Sequence, residues 1–80
     1  MLPRDPLVYV NQLVGLAALD TALSFLVRAL AMTYPDACRA PCADEPADVT
    51  TARTLIEACE RMQSSLERHR HQILLRLANA

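Results

Sequence analysis

Four side chains in this sequence have the chemistry of metal ligands: Cys38 and Cys42, with three residues between them, and His69 and His71. A cysteine pair at that spacing falls within the range used by zinc sites, which combine thiolate sulfur and imidazole nitrogen in a tetrahedral set. The histidines do not complete the set. Residues two apart on a helix point about 200° from each other, so at most one of them joins the cysteines, and a fourth ligand is missing. No cofactor or metal is expected. The odd cysteine count, three, also fits poorly with a closed disulfide framework. A metal-binding or thiol-redox protein using Cys38 and Cys42 is kept as the alternative to the main reading below.

Catalysis asks for a nucleophile with an oriented base, paired carboxylates in a cleft, or a glycine-rich phosphate loop. Ser64 and Ser65 fall in mid-helix without a histidine placed to activate them, and Gly15 is the only glycine. The chain therefore reads as non-enzymatic, with no small-molecule substrate. Arg68, His69, Arg70, His71 and Arg76 make a basic carboxy-terminal end that has the charge to touch phosphate. No aromatic side chain is interleaved to stack a base, and the net charge is −1, so nucleic acid is not the expected partner.

Those residues have to be carried by helices. Hydrophobic residues make up 52% of the chain, there is no Trp and a single Gly, and no stretch alternates apolar with polar residues long enough to form a half-buried strand. Asp5 followed by Pro6 is a helix start, because Asp accepts from the orphan N–H groups and Pro fits the first helical position. The first helix is predicted over about 6–33, ending where Pro35 disfavours helical geometry at Tyr34. Residues 34–47 carry three prolines and read as a loop. The second helix is predicted over about 48–78, with Asp44 or Asp48 as its cap. Two helices of similar length joined by a loop pack as an antiparallel pair, giving a single all-α hairpin domain over 1–80.

The two helices differ in character. In the first, Leu16, Leu19, Leu23, Leu26 and Leu30 recur at spacings of 3 and 4, with Phe25 beside them, and the only charges between Leu7 and Met32 are Asp20 and Arg28. Its apolar surface is wider than one neighbouring helix hides. The second is amphipathic, with Leu55, Cys59, Met62, Leu66, His69 and Ile73 as its seam; His69 stands where the row asks for an apolar residue, and Cys59 reads as a small core hydrophobe. The first helix is long enough to span a bilayer, but a charge near a bilayer centre costs about 3 kcal/mol, and Asp20 and Arg28 both lie inside it. Burial in a bundle explains it better, and predicts a homodimer forming a four-helix bundle, with the leucine row and Phe25 as the dimer core.

Charge is split along the chain. Residues 36–60 carry six acids and two arginines, whereas 61–80 carry four arginines and one acid. Two hairpins attract when packed head to tail, with Arg68, Arg70 or Arg76 of one approaching Glu57, Glu60 or the acidic loop of the other; Arg61 is a further charge facing a partner. The amino-terminal residues lack the pattern of a secretory signal, so a cytoplasmic location is expected. All eight basic residues are Arg, which with the Ala and Leu excess suggests a GC-rich coding genome and a bacterial or phage source. The function expected is that of a small interaction protein that binds itself and another protein, which it regulates, blocks or escorts.

Overall fold

The structure, a computed structural model, describes residues 5–79. Its elements are α1, Pro6–Thr33, a short 3-10 turn, Pro35–Cys38, and α2, Ala47–Ala78. The helices pack against each other along their length as an antiparallel hairpin of 60 × 18 × 15 Å.

The start of α1 follows from its first two residues. Asp5 caps it, its carboxylate accepting from the Leu7 N–H at 2.9 Å, and Pro6 occupies the first turn. The helix closes with the Tyr34 N–H donating to the Leu30 carbonyl at 2.8 Å, after which Pro35 starts the 3-10 turn instead of continuing. The expected caps of α2 are corrected. Pro46 stands at the cap position with no side-chain hydrogen bond, Asp44 lies in the loop, and Asp48 is already inside the first turn. The Asp48 carboxylate accepts from the Val49 N–H at 3.0 Å and contributes negative charge where the helix dipole favours it.

A cluster of buried residues closes the loop end. Ala37, Val49, Ala52 and Ile56 form a buried cluster against which Val27, Leu30 and Tyr34 pack. Farther along, Leu23, Cys59, Ile73 and Tyr9 are the buried residues, with Leu13, Leu16, Leu66 and Leu77 half-buried between them. Spacings of 4 and 3 connect Tyr9, Leu13, Leu16, Asp20, Leu23, Val27, Leu30 and Tyr34, and the same rhythm connects Val49, Ala52, Ile56, Cys59, Gln63, Leu66, Ile73 and Leu77 once Arg70 is counted in its place. A 3.5-residue repeat of this kind holds one face of each helix against its neighbour.

Candidate interaction surface

Arg53 holds the loop end. Its guanidinium pairs with the Glu45 carboxylate and donates through Nη2 to the carbonyls of Asp36, at 3.0 Å, and Arg39, at 3.1 Å. The Thr50 hydroxyl donates to the same Glu45 oxygen at 2.6 Å. With both side chains largely enclosed, Arg53 and Thr50 hold the Glu45 carboxyl below the ordinary carboxylate range, and Glu45 in turn raises the Arg53 guanidinium. The Arg53 Nε is buried without a hydrogen-bond partner among the described residues. Sequence periodicity places Arg53 on the solvent side of α2. Its loop partners correct that placement, and nothing in the spacing of loop residues announces which carboxylate folds back onto a helix.

A polar layer crosses the middle of the seam. Gln63 Nε2 donates to the Asp20 carboxylate at 3.1 Å and to the Ser24 hydroxyl at 2.8 Å. Beside it, Ala17 and Thr21 of α1 and Glu67 and Arg70 of α2 line one cleft. These contacts identify the polar flank of the hairpin and place residue 63 level with residues 20–24.

The opposite flank is apolar. Leu19 and Leu26 of α1 stand about 70–90° around the helix from its seam, and Leu55, Met62 and His69 of α2 stand about 50–80° from theirs, at 100° per residue. Both displacements run away from Ser24 and Glu67, so the two groups share one side of the molecule. Leu19, Leu26, Leu55 and Met62 are each close to half exposed, between 44% and 49%. A third apolar surface lies on the back of α1, where Leu7, Val14, Phe25 and Met32 are 58–76% exposed.

The structure thus divides both predicted rows. Leu16, Leu23 and Leu30 pack within the hairpin, while Leu19 and Leu26 face the apolar flank and Phe25 faces outward behind α1. On α2, Cys59, Leu66 and Ile73 are in the seam; Leu55, Met62 and His69 are outside it. The true seam runs through Asp20 and Gln63, polar residues that a search for apolar spacing passes over.

The remaining predicted sites are scattered. Cys38 and Cys42 are exposed thiols at the loop end and Cys59 is a buried thiol. His69 and His71 are exposed on the distal half of α2. Among the described residues no three His, Cys, Asp or Glu side chains are placed to hold a metal ion. Glu57 and Glu60 line a groove with Arg39 and Arg53 at the loop end, Arg70 pairs with Glu67 at 3.0 Å, and Arg68 donates to the Ser65 hydroxyl at 3.1 Å. Arg61, Arg68 and Arg76 are exposed. Comparison of the chain with protein-family models, with curated proteins and with solved structures gives no match.

Proposed function

We propose that this chain is a non-enzymatic protein-interaction module that forms a homodimeric four-helix bundle through its apolar flank and binds another protein through the back of α1. One observation carries the reading: beside the residues packed in the seam, each helix carries further large apolar side chains displaced toward the same flank, Leu19 and Leu26 on α1 and Leu55 and Met62 on α2. In a four-helix bundle each helix faces a shared core lying diagonally between two neighbours, whereas an isolated pair needs only the seam. Leu19, Leu26, Leu55 and Met62 have the rotation that a second hairpin on that side requires.

Such a dimer covers the flank and leaves Leu7, Val14, Phe25 and Met32 open. A patch of large apolar side chains on a soluble protein marks an interaction site, and an unrelated protein that is regulated, blocked or escorted is the occupant that fits a small module without a catalytic constellation. α1 is long and apolar enough to cross a bilayer. Against that use, α2 packs along it and carries Glu60, Arg61, Glu67 and Arg68, which do not follow α1 into lipid without a cost of several kcal/mol. A cytoplasmic dimer is the proposed state.

Two substitutions separate the surfaces. Leu26→Asp is expected to yield monomers by light scattering. Phe25→Glu with Met32→Glu is expected to keep the dimer and abolish capture of the partner. Capture unaffected by the paired Phe25 and Met32 changes would refute the assignment of the back of α1.

A further inference from the structure

The surface area leaves room for a second chain. The hairpin exposes 6078 Å², whereas a compact monomer of its mass exposes about 4,800 Å². Its radius of gyration is 17.5 Å, against about 12 Å for a compact domain of this length. The difference in area, about 1,300 Å², exceeds the roughly 800 Å² per partner of a standard specific interface.

The apolar flank also carries a directional charge pattern. On α2 the residues at seven-residue intervals along it are Asp48, Leu55, Met62, His69 and Arg76. The row is centred on Met62, has acid at one end and Arg at the other, and both charged ends are exposed without an ion pair among the described residues. Turned end over end about Met62, it complements itself.

We propose that the second copy is seated antiparallel, with the two loops at opposite ends of the bundle and α2 lying against the other α2. This rests on the reading of the chain as a dimer and adds its orientation. In this arrangement Asp48 meets Arg76 of the second copy, Leu55 meets its His69, and Met62 meets its Met62. The same two-fold axis orders α1. Because Gln63 bonds to both Asp20 and Ser24, Met62 is level with residues 22 and 23, and an antiparallel pairing about that level sets Leu19 against Leu26 of the second copy. Two rows on different helices therefore become self-complementary about one axis. The other two-fold arrangement, with the loops together, packs α1 against α2 of the second copy, leaves Asp48 and Arg76 of the two chains at opposite ends, and gathers both acidic loop ends at one end of the bundle. Charge complementarity selects orientation while apolar burial supplies affinity.

Charge exchange tests the pairing. Asp48→Arg and Arg76→Asp each replace two symmetric attractions with repulsions, and each is expected to weaken dimerisation about five- to thirtyfold at low salt in sedimentation equilibrium. The double variant, Asp48→Arg with Arg76→Asp, is expected to return within about threefold of the wild type. That recovery separates an intermolecular pair from a helix-dipole effect, because both reversals oppose the macrodipole and a purely intrahelical role makes their damage add. A double variant weaker than either single one overturns the pairing.

Orientation is read independently with a spin label on Cys42 in a Cys38→Ser background, since Cys59 is only 2% exposed. With the loops at opposite ends of helices about 48 Å long, the label-to-label distance exceeds about 40 Å. A distance under about 25 Å, in a protein that sediments as a dimer, overturns the orientation and leaves dimerisation standing. A wild type that sediments as a monomer overturns both.

Discussion

The guanidinium of Arg53 ties together three stretches of chain: the first turns of α2 that carry it, the Glu45 carboxylate just ahead of them, and the carbonyls of Asp36 and Arg39 at the 3-10 turn. Arg53→Ala is expected to speed hydrogen exchange of amides in residues 36–45 by at least about tenfold without melting the helices. The pair also gives the loop a pH dependence of known sign. The folded Glu45 pKa is depressed, so its contribution is present above the ordinary glutamate value of about 4.3 and is lost as the pH falls through the lower folded value. Corrected for the intrinsic exchange rate, the protection of loop amides should therefore fall in acid, and Glu45→Gln should remove that pH dependence of protection. The exposed thiols nearby behave differently: Cys38→Ser with Cys42→Ser is expected to leave thermal stability within about 0.5 kcal/mol, the usual range for surface changes. A larger loss on metal removal would reopen the alternative of a metal-binding loop. The Arg53 staple was not legible in the sequence, because its partners lie in a loop whose path no periodicity describes.

At the scale of the helices, boundaries were legible and phase was not. Asp5 with Pro6 gives the start of α1 and Pro35 its end, since each acts through local backbone chemistry. The contact face depends on the partner. Choosing the most apolar row of α2 selects Leu55, Met62 and His69, whereas the hairpin places Gln63 in the seam because Asp20 and Ser24 face it from α1. A long-range hydrogen bond of that kind has no local signature. Gln63→Ala is expected to cost about 0.5–1.5 kcal/mol of stability in chemical denaturation through these lost bonds, and Ile73→Ala, which empties a position 1% exposed, about 2–5 kcal/mol. His69→Leu is expected to tighten the proposed dimer by about tenfold or more, because it extends an apolar row that the hairpin itself does not bury.

For the molecule as a whole, the excess apolar surface of α1 was legible because it follows from composition alone: few polar residues are spread around a long helix, and one neighbour hides only part of its circumference. How that surface divides was not legible until both helices were in place, when Leu16, Leu23 and Leu30 took the seam, Leu19 and Leu26 the flank, and Phe25 and Met32 the back. The central claim is that the flank of Leu19, Leu26, Leu55 and Met62 is closed by a second copy. Sedimentation equilibrium at micromolar concentration tests it most directly. The account predicts a wild-type mass twice that of the 8.8 kDa chain, reduced to the single-chain mass by Leu26→Asp; a wild-type protein that is folded by circular dichroism and sediments at the single-chain mass would contradict it.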